Sequence, residues 1–369
     1  MFTEVLKKHR GLALLLVVCL AVALFTGCGE KSSSASAGEE KEVETYELSF
    51  SHHWPAKHSV ETVIAQGWGK AIEEATDGRV KIVTYPGETL MPANECYEGV
   101  IQGVADVGLS VYGYTRGRFP VIETFLLPAI SAKSAEALGL AANELIPEIN
   151  PEEIQDVHHL FTFGSGPMDL MTKKPVRVME DLHGMSLGVP GGKGSQTLEA
   201  LGGAPVSLPM SEWYEALQKG VMDGGVAAVF VTKGFKLGDV TADYITSTPF
   251  LPQNLFFCVM NKDTWNSFPA DIQKTITEVT QEFYTEKVPM LWDQENMAAM
   301  KALREQKPSE YIVLPEDEQE RWISKIEFIQ DEHIDALEDK GIPGKEILEQ
   351  IKETVKKYNE ECPDIDYSS

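Results

Sequence analysis

The chain has 369 residues and a formal net charge of −25 at pH 7, because 57 Asp and Glu residues outnumber 32 Lys and Arg residues. Such an acidic surface repels phosphate backbones and anionic lipid head groups, so the composition argues against nucleic-acid binding and against direct adsorption to a membrane. Roughly 320 residues follow the N-terminal leader and the polar segment described next, enough for one large or two medium domains.

The N-terminus is typical of an exported bacterial lipoprotein. Basic residues within the first ten precede an apolar run over 12–25, which is too short to span a bilayer and suits a signal-peptide core. The run ends at Gly27-Cys28, which resembles a bacterial lipobox. We therefore expect a signal peptide over 1–27 and an acylated Cys28 that holds the protein at a bacterial membrane, in the periplasm or at the outer face. An ordinary signal peptide with a chance cysteine is the alternative.

A polar segment separates this leader from the rest of the chain. Residues 28–45 are rich in Ser, Ala, Gly, Glu and Lys. Such a segment has too little apolar surface to offset the entropy lost on ordering, so it predicts a flexible tether.

The first folded unit follows the tether. Alternating apolar residues predict strands at 46–51, 79–85 and 105–111. Helical periodicity predicts helices at 59–76, 94–102 and 134–147.

The same alternation of strands and helices begins again near Gly164. Strands are predicted at 169–172, 185–189, 205–208 and 223–229, with helices at 195–201 and 211–219. A strand at 255–260 is predicted to return to the first unit. This pattern indicates an α/β fold of two units.

The predicted domain limits follow from these elements. Residues 46–165 with about 254–295 form a first lobe, and 166–253 with part of the C-terminal region form a second. A helical pattern over about 269–305 is interrupted only at Pro289, and further helices fill 306–369. Ligands of open α/β sheets bind outside the carboxyl ends of strands, so we expect a site between the lobes.

The sequence carries no pattern typical of an enzyme, a metal site or a bound cofactor. The three histidines at 52, 53 and 58 and the pair His158-His159 lack carboxylates or thiols at metal-binding spacing. The glycine-rich run 191–195 lacks the glycine spacing of a phosphate loop and remains a candidate anion cradle. Free thiols are expected at the remaining cysteines, with one disulfide as the alternative: Cys96, Cys258 and Cys362.

Several motifs together carry a family resemblance. Lys174-Pro175-Val176, the run 180–184, the run 201–206 and the run 210–224 stand in this order. They closely resemble the solute-binding proteins of TRAP transporters, of the C4-dicarboxylate-binding type, over residues 46 to about 305. The resemblance implies a two-lobed, periplasmic-binding-protein-like fold with a long helix that spans both lobes. It also implies a monomeric receptor that closes on a small organic acid and delivers it to integral-membrane transporter subunits.

One position departs from that family. The resemblance implies an Arg that clamps the ligand carboxylate after the Asp-Leu-x-Gly turn, but Gly188 stands there. A carboxylate would then need another cation. Lys193 and Arg116 are the best candidates by position, with Arg118 and Arg177 next. Each of these side chains could equally be a solvated surface charge.

Other candidate ligand contacts are aromatic or acidic residues near strand ends and helix starts: Trp54, Glu88, Tyr112, Trp213, Tyr214 and Phe230. Core packing is the alternative for the aromatic side chains, and a solvated turn is the alternative for Glu88. If aromatic rings line the cleft and no Arg does, a neutral, aromatic or amine ligand is the alternative to an organic acid. A surface lipoprotein with a structural or signalling role is a third possibility.

Overall fold

The computed structural model describes residues 44–130, 132–189 and 191–366. The predicted signal peptide, Cys28 and nearly all of the tether lie outside these residues and stay predictions. Among the described residues, no helix combines the length and the apolar character needed to cross a membrane.

The strands in the described residues are β1 (Tyr46–His52), β2 (Val80–Tyr85), β3 (Val107–Val111), β4 (Val157–Gly164), β5 (Asp169–Thr172), β6 (Ser186–Val189), β7 (Ala204–Ser207), β8 (Gly224–Ala227), β9 (Tyr244–Ser247), β10 (Leu255–Asn261) and β11 (Glu310–Val313). They form two sheets, which we call the first and second lobes together with the helices on them. The prediction of an α/β fold with two such units is confirmed.

The first sheet has the strand order β2-β1-β3-β10-β4. Strands β2, β1 and β3 are parallel, and β10 pairs antiparallel with both β3 and β4. The late strand β10 therefore returns to the first sheet, as predicted from its apolar run. The second sheet has the order β11-β9-β5-β8-β6-β7, with β5 antiparallel to its neighbours β8 and β9.

The α-helices in the same residues are α1 (Gln66–Ala75), α2 (Cys96–Ile101), α3 (Ala135–Ile149), α4 (Lys193–Ala200), α5 (Met210–Gln218), α6 (Val231–Gly234), α7 (Lys262–Ser267), α8 (Ala270–Lys287), α9 (Leu291–Gln306), α10 (Glu316–Ile326), α11 (Phe328–Glu338) and α12 (Gly344–Glu361). A π-helical turn over Val60–Ala65 leads into α1. Strands β4, β9 and β11 and helices α6 and α7 were not predicted.

The helix predicted over 269–305 is two helices. Helix α8 ends at Lys287 and α9 begins at Leu291, because Pro289 has no N–H to donate and its ring disfavours a continuous helix. Helix α8 packs on the first lobe, where Trp68 Nε1 donates to Thr280 Oγ1 at 2.9 Å. Helix α9 reaches both lobes through Asn296, whose side chain accepts from Phe230 N at 2.8 Å and donates to Ser165 O at 3.3 Å.

Three chain segments cross between the sheets: one joins β4 to β5, one joins β9 to β10, and one runs from β10 through α7, α8 and α9 to β11. The first two are hydrogen-bonded to each other. Ser165 N donates to Asn254 O at 3.0 Å, and Asn254 N donates to Ser165 Oγ at 3.0 Å. Thr248 Oγ1 donates to Met168 O at 2.9 Å. The connections therefore form a narrow, well-bonded hinge, beside which the two sheets face each other.

The cysteines in the described residues are free thiols. Cys96 and Cys258 are buried, and Cys362 is partly buried. Burial raises the pKa of the Cys96 thiol to about 12 and that of Cys258 well above its usual value, so both pack as small neutral side chains.

Candidate functional site

A small cavity lies between the lobes, and we call it the inner cavity. It has a volume of about 20 Å³, room for about one water molecule. The first lobe contributes His53, Trp54 and Tyr114, which follow the carboxyl ends of β1 and β3. The second lobe contributes Phe230 and Phe235, after the end of β8, together with aliphatic residues. The lobes are therefore closed on each other in this structure.

Six of the thirteen described residues that line the inner cavity carry aromatic rings. The imidazole of His53 stacks on Trp54 with a centroid separation of 3.7 Å. Trp54 also contacts Phe256 at 5.6 Å and Trp292 of α9 at 6.1 Å, and Trp292 contacts Phe230 at 5.0 Å. Rings of both lobes therefore meet on one residue of α9, and aromatic pairs at these separations attract each other.

The polar groups of the inner cavity are uncharged. Tyr114 Oη accepts a hydrogen bond from Met210 N at 3.0 Å, a direct link between the lobes. Burial, with smaller contributions from His52 and His58, holds the pKa of His53 well below its usual value, so its imidazole is neutral. Its Nδ1 is buried and has no hydrogen-bond partner among the described residues. No Lys, Arg, Asp or Glu is among the described residues that line the inner cavity.

A wider opening adjoins the inner cavity, and we call it the outer chamber. It has a volume of about 660 Å³, within the usual range for small-molecule sites. His53 and Phe235 line both spaces and mark their junction. Its charged residues in the described part of the chain are Lys57, Lys233, Lys236, Glu88 and Glu295.

Three of the predicted contacts lie at these two spaces. Trp54 and Phe230 line the inner cavity. Glu88 lines the outer chamber, where its Oε1 accepts a hydrogen bond from Ala93 N at 2.7 Å. The structure therefore brings these residues together at one junction of the lobes, as expected from their positions after strands.

Gly188 lies in β6 beneath the indole of Trp213. A Cβ atom at position 188 would lie 2.8 Å from Trp213 Cζ2 and 2.9 Å from Met222 Sδ. A Cβ atom at Gly225, its partner on β8, would lie 2.3 Å from the same ring. Trp213 is 1% exposed and donates from Nε1 to Leu208 O at 3.0 Å. Glycine is therefore required here because the indole fills the space of any larger side chain.

Tyr112 and Trp213 line neither space. Tyr112 packs against Phe119 at 4.9 Å and Phe257 at 5.1 Å, and its hydroxyl lies 3.2 Å from Thr162 Oγ1. Both aromatic residues occupy lobe cores, which is the packing role considered as the alternative. Their assignment as ligand contacts, like that of the half-buried Tyr214, stays a prediction that their positions do not favour.

The candidate cations also lie away from the two spaces. Arg116 is exposed, and Lys193 begins α4 and acts electrostatically on Glu123. Burial raises the pKa of Glu123, and the charge of Lys193 opposes that rise. Arg118 pairs with Glu98 at 3.1 Å, and Arg177 pairs with Glu310 at 2.7 Å. None of these four lines the inner cavity or the outer chamber.

The sequence analysis missed several lining residues. His53 was considered only as a metal ligand, although its place beside Trp54 after β1 was a usable signal. Tyr114 lies three residues beyond β3, and a search for aromatic residues after strands would have found it. Phe235 follows the short helix α6, which no periodic pattern marks. His52 instead bonds to Glu61 Oε2 at 2.8 Å, and the described residues contain no group of ligands suited to a metal ion.

The chain was compared with known protein families and curated proteins. Residues 50–336 match the family described as bacterial extracellular solute-binding protein, family 7. The solute-binding protein RD1_1052 of Roseobacter denitrificans is 24% identical over 57% of this chain, and the match spans 65% of that protein. The C4-dicarboxylate-binding periplasmic protein DctP of Rhodobacter capsulatus is 25% identical over 76% of this chain and 82% of its own length.

Solved structures share the same fold. A marine-metagenome TRAP solute-binding protein specific for aromatic acid ligands, in complex with meta-hydroxyphenylacetate, is 28% identical with a TM-score of 0.79, over 85% of this chain and 99% of that one. A TRAP solute-binding protein from Bordetella bronchiseptica with bound mandelate is 27% identical with a TM-score of 0.77, over 84% of this chain and 99% of that one. These relatives are solute-binding proteins of transporters and not enzymes. The chain belongs to family 7 of the bacterial extracellular solute-binding proteins, the family of the TRAP receptors.

Proposed function

We propose that this chain is the extracytoplasmic receptor of a TRAP-type transporter and captures a small aromatic solute between its lobes. One observation carries the proposal. The cavity where both lobes meet is walled by His53, Trp54, Tyr114, Phe230 and Phe235 and has no charged side chain among its described lining residues. A ligand that contacts both lobes makes all of its contacts only when they are closed, so binding stabilises the closed state.

The same observation argues against a short dicarboxylate. Burying two carboxylates without a basic partner costs several kcal/mol each, and position 188 offers no room for the expected Arg while Trp213 lies over it. An aromatic ring instead gains contact with the ring-lined wall at no such cost. Among organic acids, an aromatic monoacid is therefore the first candidate, in keeping with the ligands of the two related structures.

An uncharged aromatic molecule is the second candidate. The absence of a basic side chain from the described lining of the inner cavity favours it, because a neutral ligand needs no buried counter-charge. An amine is a weaker alternative, since a cation could lie against the aromatic faces.

The receptor is proposed to deliver its ligand to integral-membrane subunits, as expected for a TRAP solute-binding protein. Acylation of Cys28 would hold it near those subunits, and residues 28–45 would give it reach. The receptor is proposed to act as a monomer.

A thermal-shift screen of the purified mature chain tests the function. The panel contains phenylacetate, mandelate and 3-hydroxybenzoate, their alcohol and amine counterparts, and succinate and malate. We expect at least one aromatic compound to raise the melting temperature, because a ligand at about 100 times its Kd stabilises the folded state by roughly 2.7 kcal/mol. Stabilisation by succinate or malate, with none by the aromatic compounds, would refute the proposal.

A further inference from the structure

The junction between the inner cavity and the outer chamber has an unusual ring geometry. The rings of His53, from the first lobe, and Phe235, from the second, are nearly parallel, with an interplanar angle of 20° and a centroid separation of 6.5 Å. On its own lobe His53 stacks on Trp54 at only 3.7 Å. The His53 ring therefore has a close neighbour on its own lobe and a more distant, nearly parallel neighbour on the other lobe.

We propose that the aromatic ring of the ligand stacks between His53 and Phe235, with an anionic group placed in the outer chamber beside Lys57, Lys233 and Lys236. This inference rests on the proposed function and deepens it by assigning the orientation and the class of the ligand. That class is an aromatic monocarboxylate whose carboxylate extends away from the ring.

The first argument is the geometry of the two rings. A planar ring between two parallel rings needs close to two stacking distances, which is more than the present 6.5 Å, so the lobes lie slightly farther apart in the complex than in this structure. Aromatic pairs are favourable at centroid separations of about 4.5–7 Å. His53 and Phe235 belong to different lobes, so a ring between them joins the two lobes directly.

The second argument is the charge of the outer chamber. Its described lining carries three lysines against two glutamates, a local excess of positive charge on a chain of net charge −25. One glutamate, Glu88, already accepts a hydrogen bond from Ala93 N at 2.7 Å. The other, Glu295, lies 3.8 Å from Lys233. Lys57 and Lys236 are exposed and form no ion pair among the described residues, so they are free to meet an anion.

The third argument is that the lysines also come from both lobes. Lys57 lies in the first lobe after β1, while Lys233 and Lys236 lie in and just after α6 of the second. A carboxylate in the outer chamber therefore bridges the lobes in the same closed state as the ring. The ring and the carboxylate of the ligand therefore occupy two neighbouring places. A dicarboxylate without a ring would make only the contacts with the lysines.

Calorimetry on the mature chain tests the assignment with matched probes. Phenylacetate is compared with 2-phenylethanol and 2-phenylethylamine, and mandelate with 1-phenyl-1,2-ethanediol. The double variant Lys233→Gln, Lys236→Gln should weaken binding of the acids roughly three- to tenfold at low salt and leave the alcohols unchanged, because the lysines are partly solvated. The loss should shrink as salt screens the charges. Lys219→Gln, on an exposed ion pair of α5, is the control and should change nothing.

The ring contact is tested separately. Phe235→Leu should weaken the binding of acids and alcohols alike, by roughly three- to tenfold. Phe235→Tyr keeps the ring and should bind both nearly as well as the unaltered chain. Acid affinity unchanged in the lysine double variant, or tightest binding of the amine, would overturn the orientation while leaving the receptor function intact. Failure of every aromatic probe to bind the unaltered chain would overturn both.

Discussion

Two tryptophans, Trp54 and Trp213, are each 1% exposed, yet they have opposite surroundings. Trp54 follows strand β1 of the first lobe and lies against His53 and Phe256 at the inner cavity. Trp213 lies on α5 with its ring pressed on the backbone of Gly188 and Gly225. Burial alone therefore does not separate Trp54, a proposed ligand contact, from Trp213, a core residue, but the neighbours of the two rings differ.

The comparison explains why the second lobe has no room for a cationic side chain at position 188. In the second lobe, Trp213 of α5 packs directly on Gly188 of β6 and Gly225 of β8. The first lobe instead directs aromatic rings from its strand ends toward the other lobe. Variants of each region should separate stability from binding.

The largest expected effect is on stability. Replacing Trp213 with Ala leaves a cavity above Gly188 and Gly225, and such truncations of buried aromatic residues cost about 3–5 kcal/mol of unfolding free energy. Urea denaturation measures the change, with Trp265→Ala on the half-buried indole of α7 as the control. A loss below about 1 kcal/mol would show that Trp213 is not a core residue.

The next effect comes from restoring a basic residue. Gly188→Arg places Cβ within 2.9 Å of Trp213 and Met222, and overpacking of this kind typically costs about 1–3 kcal/mol. We expect no gain in succinate affinity, because the space beyond Cβ is filled. Val221→Arg, at a position that is 54% exposed, adds the same charge at no such cost. A stable Gly188→Arg variant that binds succinate tightly would contradict the packing described here.

The imidazoles of His52, His53 and His58 lie around Trp54, whereas no imidazole of the described residues lies in a ring contact with Trp213. Burial, assisted by His52 and Lys233, lowers the pKa of His58 from 6.5 to about 3. The unfolded chain therefore binds a proton below pH 6.5 that the folded chain refuses until about pH 3, so stability falls as pH falls through this window. The slope is at most about 1.4 kcal/mol per pH unit for one group.

Chemical denaturation between pH 7 and 4 measures this slope. His58→Gln should reduce the slope by the share of one group, because buried His53 still resists protonation, and His183→Gln, at an exposed position, should reduce it less. An unchanged slope in His58→Gln would show that His58 is protonated in the folded protein.

The smallest effect separates two neighbouring tyrosines. Tyr114→Phe removes the interlobe hydrogen bond to Met210 N, and a hydrogen bond of this kind contributes about 0.5–1.5 kcal/mol. That loss should appear mainly as faster ligand dissociation, since the bond exists only when the lobes are closed. Tyr112→Phe removes a bond within the first lobe and should lower stability without changing affinity. Stopped-flow dissociation rates for both variants check the contrast.

Most of the fold follows from periodicity in the sequence. The parallel strands β1 to β3 and the later β10 are apolar enough to be recognised, and so are the helices between them. Strand β4 was missed because His158 and His159 interrupt its apolar pattern. Strands β9 and β11 were also missed; both have four residues, but length alone is not the reason, since β5 and β6 are equally short and were predicted.

The site was less predictable because it depends on contacts between distant residues. The sequence shows that position 188 has Gly instead of Arg. It contains no signal that the indole of Trp213, on helix α5, fills the space above that glycine. Trp54 and Phe230 were found by their places after strands. Phe235 was not, since it reaches the junction only through the turn at the end of α6.

A crystal structure of the mature chain with the aromatic compound that stabilises it most tests the central claim directly. We predict a ring in contact with His53, Trp54 and Phe235 at the junction of the lobes, with no contact to Gly188. A ligand seated instead beside Gly188 and Lys193, or outside the cleft, would contradict the account.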